Sequence, residues 1–352
     1  MRAINRRTLL CVAGLVALVS GGYLIGFRAS GSGGRSQLSS AERVRLTPME
    51  LPDGFKSGVF TFGFAGSNVW ALGYNGHDPK LGLESTDNGA TWVEVALPTS
   101  GFILRAISFP DPQNGWAVGD YGTIVRTSDG GKTLERLKRP TEKDLTCVDF
   151  VNDKVGYVGG RLRGFDRATN RMVYGAVVLK TTDRGQSWTT CYEDDHSDGV
   201  VVEALTESYV LVSADHDLIS EDGGITWGTI DSQGRLPSSF TFTEDGIGHG
   251  VQLGGEGGFF ESNDRGKTWQ KLTGLPESLL SHKWWSMDFA DVNHGIVVGE
   301  KGALAVTRDG GRTWTEVQTG IKEDLLDVKL RGSIGFVRTN STSPGVYRLV
   351  GF

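Results

Sequence analysis

Beyond residue 40 the chain alternates short apolar runs with breaks rich in glycine and aspartate. Runs such as Leu104-Arg-Ala-Ile-Ser-Phe109, Leu145-Thr-Cys-Val-Asp-Phe150 and Trp285-Ser-Met-Asp-Phe289 are apolar with a tendency to alternate, the period of a half-buried strand. Each precedes a second apolar run that usually closes on glycine: Val69-Trp-Ala-Leu-Gly73, Trp116-Ala-Val-Gly119, Gly156-Tyr-Val-Gly159, His249-Gly-Val-Gln-Leu-Gly254 and Ile296-Val-Val-Gly299, with Tyr209-Val-Leu-Val212 lacking the glycine. No long amphipathic helical run appears in this part. The pattern predicts an all-β domain of many short strands.

Between the later strands of each unit the chain repeats one eight-residue phrase six times. The copies are Ser85-Thr-Asp87-Asn-Gly89-Ala-Thr-Trp92, Thr127-Ser-Asp129-Gly-Gly131-Lys-Thr-Leu134, Thr181-Thr-Asp183-Arg-Gly185-Gln-Ser-Trp188, Ser220-Glu-Asp222-Gly-Gly224-Ile-Thr-Trp227, Ser262-Asn-Asp264-Arg-Gly266-Lys-Thr-Trp269 and Thr307-Arg-Asp309-Gly-Gly311-Arg-Thr-Trp314. A glycine at fixed offset supplies a backbone angle that other residues resist. The Ser/Thr and Asp side chains can hold nearby amides and so stabilise a tight turn. Each phrase is therefore read as a hairpin turn whose closing aromatic anchors the next strand in the core. Calcium binding or acid catalysis by Asp87, Asp129, Asp183, Asp222, Asp264 and Asp309 is the competing reading, and turn capping explains the regularity better. The phrase resembles the Asp-box of β-propellers, which occurs in sialidases, xyloglucanases, sortilin-type receptors and assembly factors, so it implies a fold and no single activity.

Successive box aspartates are 42, 54, 39, 42 and 45 residues apart, the length of one four-stranded blade. After the last box, Leu325 to Leu330, Ile334 to Thr339 and Val346 to Phe352 supply three strands of a seventh unit. The fourth is expected from Arg43-Val-Arg-Leu46, because an open ring would leave free strand edges. The expected fold is a seven-bladed β-propeller over residues 41–352, its last blade closed by an N-terminal strand.

The first forty residues have a different character. Arg2, Arg6 and Arg7 precede Thr8 to Phe27, twenty residues without a charge, enough to span a bilayer as a helix with its N-terminus cytoplasmic. Residues 1–28 are read as a cytoplasmic stub and uncleaved transmembrane anchor, the alternative being a cleaved signal peptide. Cys11 follows Leu10 and lies very early, which speaks against a lipoprotein anchor. Residues 29–40, containing Ser30-Gly-Ser-Gly-Gly-Arg-Ser36, form a flexible linker. This places the propeller in the periplasm of a bacterium, tethered to the inner membrane.

Charge narrows the partners. The first 35 residues hold five Arg and no acid, leaving 31 Lys and Arg against 42 Asp and Glu beyond them, a net of −11. Such a balance disfavours nucleic acid. Cys147 and Cys191 fall on the innermost and outermost strands of one blade, roughly 14 Å apart at the usual strand spacing, so two free thiols are expected in place of a disulfide.

Little in the sequence points to catalysis. The six histidines form no metal-binding pair, and Asp194-Asp-His-Ser-Asp198 and Asp215-His-Asp217 are metal-like only in composition. There is no nucleophile elbow or phosphate-binding glycine loop, and Gly254 to Gly258 reads as a turn. Sialidases add an R-I-P motif and an arginine triad, and this chain has no R-I-P. A glycan-active hydrolase or lectin stays as the rival class. No metal or cofactor is called for.

Two elements stand out as partner-binding candidates. The 54-residue interval carries an insertion in blade three, Arg161-Leu-Arg163-Gly-Phe-Asp-Arg167-Ala-Thr-Asn-Arg171, with four arginines on an acidic domain. It suits docking of an acidic protein surface or a carboxylate; a solvated long hairpin is the alternative. In His282-Lys-Trp284-Trp285 adjacent aromatics point to opposite faces of a strand, which allows one in the core and the other exposed as a partner anchor; core packing alone is the alternative and the better supported of the two. The repeat spacing, Trp116-Ala-Val-Gly119, and the Asn114-Gly115 and Asn293-His-Gly295 turns resemble the photosystem II stability/assembly factor family over roughly residues 50–320. That resemblance implies a seven-bladed, non-catalytic propeller that binds membrane-protein intermediates.

Overall fold

The structure, a computed structural model, describes residues 44–352 apart from 53–54, 56–57, 74–80, 167–170, 198–199, 215, 231–235, 253–257 and 341–344. Seven four-stranded antiparallel sheets follow one another as the blades of a propeller. In blades one to six the chain enters on the innermost strand and leaves on the outermost, as in Leu104–Ser108, Gly115–Gly119, Ile124–Thr127 and Glu135–Arg136 of blade two. Blade seven takes Leu325–Arg331, Ile334–Thr339 and Val346–Val350 from the C-terminal end and Arg45–Pro48 as its outermost strand. Arg45 pairs with Val350 and Pro48 with Tyr347. The closing strand thus lies two residues beyond its expected start, and its proline sits on a sheet edge where a missing N–H costs no ladder bond. Val44 and Leu46 pack with Leu325, Val337 and Leu349.

The hydrophobic core is divided among the seams between blades. Aromatic residues set these seams. In most blades a residue just ahead of, or within the first three positions of, the second strand carries a ring that reaches toward the Asp-box side of the following blade. A Cβ added at Gly131, in the box of blade two, would lie 2.0 Å from the Trp70 ring of blade one. Trp116 donates its indole N–H to Arg184 O in the box of blade three, 3.0 Å away, and lies flat on Phe150 at 3.6 Å between centroids. Tyr157 donates to Glu207 O of blade four, and Tyr209, just ahead of its strand, to Arg265 O in the box of blade five. His249 stacks on Phe289 of blade six, and Phe336 of blade seven faces Gly89 in blade one. The equivalent residue in blade six is Ile296, and blade seven, which it faces, has no box.

Near the axis, side-chain oxygens of one inner strand accept N–H groups of the next blade. Ser108 takes Phe150 N, Asp149 takes Ala204 N, Ser239 takes Met287 N and Asp288 takes Leu330 N, at 2.7–3.2 Å. These bonds satisfy inner-edge donors that no strand covers. Cys147 and Cys191 are both free thiols; Cys147 is fully buried on the innermost strand of blade three, and Cys191 lies on the outermost.

No helix among the described residues is long and apolar enough to cross a membrane. The segment Thr8 to Phe27 and the linker 29–40 lie outside them.

Two stability outcomes follow from the seams and the closure. Gly131→Ala drives a Cβ into the Trp70 ring at a residue with φ of 101°, so thermal unfolding should show a loss on the order of 3 kcal/mol. Deleting residues 40–50 removes the outer strand of blade seven and should lower the melting temperature markedly; an unchanged melt would contradict closure by this strand.

Candidate functional site

The six box aspartates are committed to their own turns. In blade one, Asp87 Oδ1 accepts from Ser85 Oγ and Thr91 N at 2.8 Å, Oδ2 accepts from Thr91 Oγ1 at 2.7 Å, and Ser85 Oγ accepts Gly89 N at 2.7 Å. The same bonds recur around Asp129, Asp183, Asp222, Asp264 and Asp309. The hydroxyl of the seventh box residue is the main force holding Asp87, Asp129 and Asp222 ionised, with folded pKa values of about 2. A carboxylate held this way is committed to its own turn, and its proton affinity is too low for acid catalysis near neutrality. Among the described residues no three His, Cys, Asp or Glu side chains group closely enough to hold a metal. Asp194 instead caps a turn, accepting from His196 N, Ser197 N, Ser197 Oγ and Tyr192 OH.

The blade-three insertion is a continuous β-ribbon. Gly156–Asp166 and Arg171–Thr181 pair without a break to Asp166 opposite Arg171. Their flanking strands stop earlier: the inner strand ends its pairing at Asp144 opposite Arg161, and the outer at Asp194 opposite Ala176. Residues 162–166 and 171–175 therefore rise beyond the blade as the two strands of an arm. Arg161 stands at its base, half-buried, with no hydrogen bond or ion pair among the described residues, while the neighbouring Leu162 is 40% exposed. Arg163 pairs in register with Tyr174. Arg167 lies outside the described residues.

The arm emerges beside a cluster that the sequence did not suggest. Blade two turns between its second and third strands through Asp120–Gly122, where Tyr121 takes a left-handed φ of 53° and is 53% exposed. Asp144 holds that turn by accepting Tyr121 N at 2.9 Å, and Arg105 pairs with Asp120. The Tyr121 ring packs 5.1 Å from Phe102, over which Arg136 places its guanidinium at 5.8 Å. Lys143, in the linker into blade three, binds Glu193 at 2.6 Å. Blade six repeats the turn with Lys301 at φ 55°, its N–H held by Asp324. The repeated Gly-acid-x-Gly spacing at 119–122 and 299–302 is the signal that would have found it.

Trp284 and Trp285 begin the inner strand of blade six at the same end of the propeller as the arm, three blades away. Trp284 is core: it packs with Phe259, Met287 and Trp314 and donates to Leu279 O at 2.7 Å. Trp285 is half-buried, with its indole nitrogen shielded from solvent. The structure thus brings the arm together with Tyr121 and Phe102, and leaves the tryptophan pair apart.

A model of the photosynthesis system II assembly factor YCF48 family matches residues 83–206. The photosystem II assembly lipoprotein Ycf48 of Synechococcus sp. (strain CC9902) is 30% identical over 197 residues, 53% of this chain and 54% of that protein. The chain thus spans about half the length of that curated relative. A solved structure of YCF48 bound to D1 peptide superposes with a TM-score of 0.65 at 16% identity, covering 88% of this chain and 96% of that one. The GH74 xyloglucanase of Xanthomonas campestris gives 0.61 at 15% identity over 87% of this chain and 53% of the enzyme. At such identities these two likenesses speak to fold alone. The chain is an Asp-box propeller that resembles the photosystem II stability/assembly factors.

Because the folded pKa of Asp129 is depressed from 3.8 to about 2, its contribution is fully present above pH 4 and is lost as pH falls toward 2. Wild type should therefore melt higher than Asp129→Asn at neutral pH, and the gap in melting temperature should close between about pH 4 and pH 2.

Proposed function

We propose that this chain is a non-catalytic propeller scaffold that docks another protein through the arm of blade three. The observation that carries this is Arg161, whose side chain has no partner among the described residues, at the base of an arm rising beyond its own blade, beside the exposed Tyr121. On an acidic domain, a run of four arginines confined to one projection gives a partner's carboxylates a single place to bind. Tyr121 and Phe102 offer a rigid aromatic surface next to it, a common composition for an interface anchor. A YCF48 in the solved structures holds a D1 peptide, which supports reading a propeller of this shape as a receiver of peptide segments.

The domain plan behind this reading is an anchor over residues 1–28, a flexible linker over 29–40 and the propeller from 41 onward. The Synechococcus relative is named a lipoprotein. Here Leu10 precedes Cys11, so the tether we propose is the apolar helix Thr8 to Phe27, holding the propeller on the periplasmic side of a bacterial inner membrane. The partner is then a membrane-associated or exported protein, and the role is assembly, chaperoning or sequestration.

The test is cross-linking capture from the source membranes with wild type and with Arg161→Glu/Arg163→Glu. Capture should fall at least tenfold in the variant while its melting temperature holds. Equal capture would reject the arm as the docking element. Turnover of fluorogenic glycosides by the purified propeller would overturn the non-catalytic reading in favour of a glycan-active enzyme.

A further inference from the structure

The seam between blades five and six differs from its counterparts. Where Trp116 and Tyr209 reach across and donate to a box carbonyl of the next blade, blade five carries His249, between Gly248 and Gly250. The imidazole still stacks, 4.1 Å from Phe289 and tilted by only 17°. It is shorter than an indole or a phenol, and beside it a groove of about 390 Å³ opens on the box side of the propeller, the opposite end from the blade-three arm.

The groove is lined by Asp245, His249, Glu261, Asn263, Asn293 and Asp309, with Arg312 at its rim. Asp245 Oδ1 accepts Thr243 Oγ1 and Ile247 N, and Glu261 Oε1 accepts Asn263 Nδ2. Asp245 Oδ2 and Glu261 Oε2 take no donor among the described residues. Arg312, which also lines the groove, donates to Asp309 O at 3.3 Å. Asp309 adds charge, its oxygens being used in its own box.

His249 is the second and independent sign of a ligand. It is 4% exposed, its ring makes no hydrogen bond among the described residues, and its Nδ1 faces Gly311 of the groove wall, 3.4 Å from where a Cβ would stand. The seam residues with a polar tip in blades two to four each donate to the following blade, and His249 makes no such bond among the described residues. Burial keeps it neutral, with a pKa lowered to about 4, so one ring nitrogen is an acceptor at physiological pH.

We propose that this groove binds a guanidinium group, the arginine side chain of a peptide segment. A metal ion needs three or more ligands converging within coordination distance, and no such group exists among the described residues. A guanidinium spreads five N–H donors over a rigid plane and carries no acceptor, so it can satisfy separated carboxylates and a neutral imidazole at once. Asp245 Oδ2 and Glu261 Oε2 supply charge-assisted bonds, and His249 supplies the inner acceptor. The net charge of −11 beyond residue 35 favours approach of a cationic segment. The site is independent of the arm: arm and groove lie at opposite ends, and either can stand without the other.

The probe is N-acetyl-arginine amide, titrated into the propeller with ring-labelled histidines and followed by NMR. The His249 resonance, assigned by its loss in His249→Phe, should shift saturably at millimolar probe. The uncharged isostere N-acetyl-citrulline amide should leave it unmoved. Asp245→Asn/Glu261→Gln should weaken binding at least tenfold with an unchanged melting temperature, and Arg161→Glu/Arg163→Glu should leave binding intact. No saturable shift, an equal response to citrulline, or full binding by the carboxamide variant would each overturn the assignment.

Discussion

The ring depends on one kind of contact: an aromatic of one blade against the box turn of the next, directly at the box glycine for Gly89, Gly131, Gly185 and Gly311. The glycines at 89, 131, 185, 224, 266 and 311 take positive φ values of 82–101°, a conformation that disfavours side chains. At Gly131 and Gly89 the neighbouring ring also occupies the space a Cβ would need. The local turn and the long-range seam are therefore imposed on the same atom. Because each blade supplies the ring for its successor, cohesion passes round the circle in one direction. Ile296 marks the interruption: it faces the blade without a box, and there the N-terminal strand and the Phe62–Phe336 stack at 4.9 Å complete the circle.

Much of this was legible in the sequence because it is local. The box needs a hydroxyl, a carboxylate and a glycine at fixed offsets within eight residues, and that spacing survives any change of neighbours. The seven units and the closing strand followed from counting those offsets. The seam residues were not legible in the same way. Trp70, Trp116, Tyr157, Tyr209, His249 and Phe336 share a ring but no chemistry, and each does its work against a box some 45–70 residues further along or, for Phe336, at the start of the ring. Their place next to a glycine in most blades, as at Gly115, Gly156 and Gly335, was visible, but its meaning lies in the neighbouring blade.

The candidate sites divide along the same line. The 54-residue interval announced the arm, while its β character was hidden, since Arg, Gly and Asn between 161 and 171 break the alternation that marks a strand. The pairing of Arg161 with Ala176 and Arg163 with Tyr174 is enforced by the ladder beneath it. Of Trp284 and Trp285, read as one core and one outward ring, the sequence did not say which is which; a bond to Leu279 O, from the single helical turn ahead of it, makes Trp284 the inward one. In both cases the deciding interaction comes from a segment whose approach no periodicity reports.

The pairing of Arg45 with Val350 also governs when the molecule can be finished. A chain emerges from the ribosome N-terminal end first, so the latch strand is made before any blade and its partner about three hundred residues later. Blades one to six can gather in the order of their synthesis, each against the one before. The seventh cannot close until about three hundred residues have been delivered, and until then its outer edge and the first strand both remain without a mate. Completion of the ring therefore waits on the strand farthest along the chain from the latch, and on the proposed export route it falls on the far side of the membrane.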